Sequence, residues 1–414
     1  DWTADRAWGF LELEALYRDE DDQTGLLRWD WHRRIRSETT WNELPHRLLH
    51  DPLTNLAAAT NHGRIVEHTD LDPDSIYGIR YSRLEHRTEL QPSDRLQLAL
   101  LVNNQEREGT RQIRTASHCS SCHVFGQDRP IDERNTDLGL EARYAWEKVV
   151  LRASYTWREL EQNPTFLTLL FDDALQPELQ TPIFDNRLQW DSAQGPQPID
   201  ALPDVDKQVA RIDLGVPSWG GVTFNASGVI SETENRFTGL SSDYRALIAS
   251  LARDLASGWT LRWRGRAYEI DNDETFVDIA EPVAIAGPHL GRTYREVYGF
   301  DPDFVRLSAL DRDVLESRFD ATYELGGRRA GRLILSWDFD RTDRRFFAVT
   351  DDGETETTRN VLGVAWRGRP ARRVQLKAGL RHGEIDHPVA NPNGVFSTNT
   401  SVAVASPFAP QADQ

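Results

Sequence analysis

The 414-residue chain carries a formal charge of −18 and a pI near 5.1, which excludes the basic surface that a nucleic-acid partner requires. Its mean hydropathy of −0.59 and hydrophobic content of 39% are low, yet 13 tryptophans, 10 tyrosines and 16 phenylalanines are too many for a disordered polypeptide. No run approaches the roughly 18–20 consecutive apolar residues of a membrane-spanning helix.

From the start of the chain the dominant signal is alternation with a period of two. It is present in "FLELEALY" and "LLRWDWHR", and residues 38–75 then form a long irregular stretch holding four of the eleven histidines. Alternation resumes in "RLQLALLV", breaks across residues 104–136, and returns in "LGLEARYAW". In "KVVLRASYTW" it sets Val149, Leu151, Ala153, Tyr155 and Trp157 against Val150, Arg152, Ser154 and Thr156. Such stretches are strands. A second irregular stretch, rich in proline, glutamine and aspartate, spans residues 158–205. "LSSDYRALIASLARDLA" fits a helix nearly as well as a strand.

"WTLRWRGRAY" is again a strand, and a third irregular stretch runs from residue 271 to 311. "RFDATYEL", "RLILSWDFD", "NVLGVAWRG" and "RVQLKAGLR" follow, joined by short turns such as "ELGGRRAG" and "RGRPARR". Consecutive strands with short reverse turns make an antiparallel meander. The apolar faces end in aromatics, as at Trp29 and Trp31, Trp337 and Phe339, and Trp366, while the opposite faces carry charges of both signs. That combination predicts an all-β fold, an antiparallel up-and-down outer-membrane β-barrel with long loops, as one unit over residues 1–414. A soluble, exported β-protein shares the alternation and stays open as an alternative. Asp1 reads as a mature N-terminus, so the expected location is a Gram-negative outer membrane, with the signal peptide removed.

Both cysteines of the chain lie in "TASHCSSCHVFGQDRP", as Cys119, two residues, Cys122 and then His123. The expectation is an inserted loop over residues 104–136 that carries this motif. Its spacing is the signature of covalent c-type haem: two thiols reach the porphyrin vinyl groups, and the next imidazole faces the iron. The reading is one haem c on Cys119 and Cys122, with His123 as the proximal iron ligand. A Cys119–Cys122 disulfide, a zinc site that adds His118, and a thioredoxin-like redox pair are the other readings. The chain has no methionine, so a sixth iron ligand would be a second imidazole, with His46, His50, His62, His68 and His86 lying upstream. His289, His382 and His387 read as loop or strand-end residues.

No Ser/His/Asp set, phosphate loop or dinucleotide fingerprint points to an enzyme. The pairs Asp271/Asp273 and Asp301/Asp303 read as solvated loop charges. "TENRFTGLSSDY", "RLSALDRDVLESRFDATYEL", "FDRTDRRF" and "HPVANPNG" resemble the strand and turn repeats of the porin-cytochrome conduit barrels, the decahaem-associated outer-membrane proteins. The resemblance implies electron transfer across the outer membrane, with the barrel as an insulating sleeve among outer-membrane lipid and with periplasmic or extracellular multihaem cytochromes as partners. Two features depart from that family: the Cys pair is internal and followed by His123, and the sequence finishes "SPFAPQADQ". A passive porin with a disulfide-braced loop is the alternative within the same architecture.

Overall fold

The computed structural model describes residues 2–6, 9–54, 59–61, 64–116, 123–163, 167–171, 195–200, 202–256, 258–277, 283–284, 287–299, 304–306, 308, 310–326, 331–345, 355–371 and 374–387. The strands are β1 (Trp2–Arg6), β2 (Gly9–Asp19), β3 (Asp22–Trp31), β4 (Ile35–Arg47), β5 (Ala59–Asn61), β6 (Arg64–Asp70), β7 (Gly78–Leu90), β8 (Leu96–Ala116), β9 (His123–Trp146), β10 (Val149–Gln162) and β11 (Leu167–Leu169). They continue with β12 (Gln197–Ile199), β13 (Val205–Trp219), β14 (Val222–Asn235), β15 (Leu240–Asp254), β16 (Trp259–Asn272), β17 (Thr275–Val277), β18 (Phe304–Arg306), β19 (Arg312–Glu324), β20 (Arg332–Arg344), β21 (Glu356–Ala371) and β22 (Val374–Asp386). One five-residue helix, α1 (Tyr294–Tyr298), lies in the connection between β17 and β18.

Eighteen of these strands form one sheet, and all of them but β5 and β6 make an antiparallel up-and-down meander. The ambiguous stretch around Tyr244 is strand β15, bonded along its length to both β14 and β16. There the ladder overrides a helical pattern that "RALIASLARDL" carries by itself. The expected loop over residues 104–136 is corrected by the structure: residues 104–116 and 123–136 are strand, paired from Leu96↔Tyr144 up to Ala116↔Val124. Its polar composition reflects two strands with charged faces, which sequence pattern reads as loop.

Directly paired residues share a face, so the registers sort every long strand into two sides. One side carries Leu98, Ala142, Ala153, Ile212, Gly228, Leu247, Ala267 and Leu315 as one continuous row. The next position along each strand belongs to the other side, with Glu141, Ser154 and Arg211 in register. The apolar side is the open one: Ile212 is 58% exposed, Ile230 61% and Leu247 62%. Hollows open on both sides: on the polar side one of about 630 Å³ across β2, β3, β4, β7 and β8 and one of about 560 Å³ across β15, β16, β19, β20 and β21, and on the apolar side a wider one of about 1330 Å³ across β8–β10, β13–β16, β19 and β20. A sheet with one apolar and one charged face is the two-sided pattern of a barrel in a membrane.

The apolar side is also bounded along the strands. On β10 it runs from Val149 to Trp157 and gives way to Glu159 and Glu161; on β15 it lies between Arg245 and Arg253. At one end of the sheet the connections are short, as at 32–34, 91–95, 147–148, 220–221 and 255–258. Trp31, Trp146, Trp219, Trp259 and Trp366 stand on the apolar side near that end, and Trp259 lies against Tyr323 with ring centroids 4.9 Å apart. The other end receives the three long connections, 48–77, 163–204 and 273–311, together with 117–122.

Strands β8 and β9 rise beyond both neighbours at this long-connection end. β7 begins at Gly78, opposite Thr110, and β10 finishes at Gln162, opposite Glu133. Gly109 marks the departure: its φ is +147°, and a Cβ there would lie 2.1 Å from the Gly78 carbonyl oxygen. Replacing Gly109 with alanine is expected to destabilise the hairpin by about 1–3 kcal/mol through the backbone conformation alone. Gly228→Ala, where an added Cβ meets nothing within 4 Å, is expected to leave the midpoint of denaturant unfolding in detergent unchanged. Equal midpoints for the two variants would remove the role assigned to Gly109.

Candidate functional site

The projecting hairpin organises the best-buried part of the described chain. β6 lies parallel to the start of β9, with Glu67↔His123, His68↔Val124, Thr69↔Phe125 and Asp70↔Gly126 in register. The backbone continues the contact beyond β6, since Leu71 N–H donates to the Gly126 carbonyl at 2.8 Å. Leu53, Tyr77, Phe125 and Ile131 are buried around this junction. Parallel pairing here brings a segment from the 48–77 connection onto a hairpin some 55 residues further along.

Two polar clasps hold the connection down. Gln112 on β8 bonds the Asp51 backbone twice, its Nε2 donating to the carbonyl at 2.8 Å and its Oε1 accepting from the amide at 3.0 Å. Asp128 on β9 accepts from Ser75 Oγ at 2.6 Å and from Tyr77 Oη at 2.7 Å, while its own amide donates to Asp72 at 2.7 Å. His50 meets Asp70 with 2.5 Å between Nε2 and Oδ2, and its ring stands edge-on to Tyr77 at 4.8 Å. Buried carboxylates need several such partners to be tolerated. A third clasp joins buried Arg129 of β9 to Asp200, through the carbonyl at 2.9 Å and through the carboxylate.

His123 opens β9 and is 9% exposed. Its Nε2 lies 2.8 Å from Thr69 Oγ1, and its ring sits 3.8 Å from that of Phe125. Binding iron through Nε2 would therefore exchange the Thr69 contact for the metal bond. Cys119, Cys122, His118 and His62 lie outside the described residues. His68 faces away from His123 across β6, by the alternation of the register, and His46 lies on β4 at the foot of the same connection. His86 is on β7 within the sheet, held between Thr39 Oγ1 at 2.8 Å and Thr88 Oγ1 at 2.9 Å. The structure thus gathers His50, His68 and His123 at one junction and separates His86 from them.

The remaining histidines are elsewhere: His289 in a single 3-10 turn, His382 on β22, and His387 just beyond it. Asp271 pairs with Arg345 at 3.0 Å, and Asp273 accepts from Ser241 Oγ at 2.7 Å. Asp301 and Asp303 lie outside the described residues. Among the described residues no three histidine, cysteine or acidic side chains converge as a metal site would require. Tyr77, Gln112 and Asp128 escape sequence reasoning, because each acts on a partner roughly 50–60 residues away in the chain. The dense aspartates of "TDLDPDS" are the one local trace of the clasp.

No family model matches the chain, and no curated protein matches it. Among solved structures, a mutant of the ferric enterobactin receptor PfeA from Pseudomonas aeruginosa aligns over 91% of this chain and 62% of its own length, at 9% identity and a TM-score of 0.43. The copper transporter OprC aligns over 91% of this chain and 52% of its own, at 10% identity and a TM-score of 0.43. OmpT, an outer membrane protein of Vibrio cholerae, aligns over 84% of this chain and 98% of its own, at 7% identity and a TM-score of 0.27. The chain thus spans less than two thirds of the length of the receptor and of the copper transporter.

Burial and the bond to Asp128 raise the Tyr77 phenol above its ordinary value of 10.0. The folded protein therefore holds that proton more tightly than the unfolded chain. The resulting stability is fully present below pH ~10 and is lost as pH climbs from there through the raised value. Thermal unfolding between pH 8 and about 12 is expected to show this loss in the wild type. Tyr77→Phe should remove the alkaline step and cost about 1–2 kcal/mol at neutral pH, from the lost hydrogen bond and the unpaired Asp128 oxygen. An alkaline step that persists in the variant would place its origin in another group.

Proposed function

We propose that this chain is an outer-membrane β-barrel whose charge-lined interior is its working space. One observation carries this reading: the meander presents a bounded apolar belt on one side and charges on the other. Short turns ringed with tryptophan at one end and long connections at the other support the same orientation, the long connections facing outward from the cell. Helical membrane spans are absent among the described residues, a fact without bearing on strands.

The finer part of the proposal concerns Cys119, Cys122 and His123. The spacing favours one covalent haem c, which supplies a one-electron redox centre when bound. Cys119 and Cys122 would hold it and His123 would face the iron once Thr69 turned aside. The motif sits at the long-connection end, between β8 and β9, so multihaem cytochromes on the outer side are the partners this placement favours. Electron transfer, with the barrel as sleeve, is the role proposed, and no residue is assigned to catalysis.

Two measurements test the two parts separately. Leu247→Arg introduces a charge on the apolar belt, and is expected to destabilise the protein in lipid vesicles by about 2–4 kcal/mol. The same substitution should have a much smaller effect if that face meets water. For the haem, intact mass of the detergent-extracted chain and a haem-stained denaturing gel are decisive. One added porphyrin mass with staining supports the electron-transfer reading. Loss of two hydrogens alone identifies a Cys119–Cys122 disulfide and leaves the barrel as a porin.

A further inference from the structure

The polar side of the sheet is not electrostatically uniform. Three successive polar-side positions of β16 are Arg262, Arg264 and Arg266; Arg264 and Arg266 line the hollow of about 560 Å³ that β15, β16, β19, β20 and β21 share, and Arg262 is the next position along the same face. Across the register Arg264 stands directly opposite Arg318 of β19, a like-charge pair that is unfavourable unless something neutralises it. Further round the wall, Arg359 on β21 and Arg381 on β22 also take polar-side positions.

The carboxylates of this wall are already engaged. Glu316 binds Arg266 at 2.6 Å, Asp320 and Asp338 bind Arg318 at 2.8 and 3.2 Å, and Asp340 reaches Arg359 at 3.7 Å. Arg262 faces Asp320 across the ladder, but that carboxylate is taken by the two-pronged contact with Arg318. Among the described residues Arg262, Arg264 and Arg381 have no carboxylate partner. The wall therefore carries surplus positive charge in a chain whose total is −18.

We propose that this wall is an oxyanion-binding track, which takes small phosphate- or carboxylate-bearing solutes on Arg262 and Arg264. The proposal rests on the barrel reading above. A guanidinium presents parallel N–H donors that match an oxyanion two at a time, and it stays charged at every physiological pH. Arg266 and Arg318 are oriented by their own carboxylates, so they frame the hollow while Arg262 and Arg264 are left to bind. A wall with surplus charge of one sign concentrates its counter-ion.

The test uses the full chain reconstituted into planar bilayers under a potassium chloride gradient, with flotation of protein-loaded vesicles as a check of insertion. The expected reversal potential is that of an anion-preferring path, and inorganic phosphate is expected to reduce the chloride current. The double variant Arg262→Gln/Arg264→Gln should lower the chloride-to-potassium preference by roughly twofold or more and abolish the phosphate effect. A cation-preferring or unselective path, or a double variant indistinguishable from wild type, overturns the proposal. Insertion without any conductance also overturns it and leaves the barrel reading standing. Failure to float with vesicles overturns the barrel reading itself.

Discussion

Continuous antiparallel register is the constraint on which everything else depends. From β7 to β10, and again from β13 to β16, each strand is bonded along its length to the strands before and after it. Because side chains alternate with a period of two, a slip of one residue in any strand would carry its leucines to the polar side and its arginines to the apolar side. The two-sided chemistry therefore fixes the register, and the register in turn places every charge. In a bilayer the same bonding answers a second demand, since no backbone group within hydrocarbon has water to turn to.

The charge pairs on the polar side are a consequence of this geometry more than a source of stability. Arg158 and Asp137, at 2.5 Å, or Arg28 and Glu38, at 2.8 Å, remain partly open to solvent, where such pairs contribute about 0–1 kcal/mol each. Their effect is on the field inside the sheet. Where an arginine and a carboxylate are paired on this side the field cancels, as at Arg266 and Glu316, whereas at Arg264, which faces Arg318, it does not. Selectivity is then decided by the few arginines left over, and a sequence-wide charge count points in the opposite direction.

Much of this was legible in the sequence, and the failures share a cause. Alternation located the meander, and the aromatic ends of strands such as "KVVLRASYTW" located the apolar side, because both depend only on neighbours in the chain. Residues 104–116 and 123–136 read as loop because their positions on both faces are largely polar, so no period of two survives, yet they belong to the two longest strands of the sheet. Tyr77, Gln112 and Asp128 were invisible for a related reason. Their partners come from another part of the chain, and a lone glutamine on a strand has no local signature. The polar-side arginines of β16 were visible as residues and silent as a feature, since only the cross-strand register reveals that Arg264 faces Arg318 and which carboxylates are taken.

The two ends of the sheet give that interior a direction. Acidic groups gather at the long-connection end: Glu161 beyond the apolar belt of β10, next to a Glu159 that Arg236 already pairs, and Asp70, Asp72 and Asp128 in the clasp against β9. An anion that approaches from this end meets like charge before it meets the arginine wall. At low ionic strength, where exposed charges act over tens of ångströms, the rim repels it; near 0.15 M salt the reach falls to about 8 Å. The same rim attracts a basic surface, so a protein docking at the long-connection end would neutralise the barrier while covering the mouth. Rim and wall together therefore favour an occupant that brings positive charge to the mouth and negative charge to the interior, a stricter requirement than either feature imposes alone.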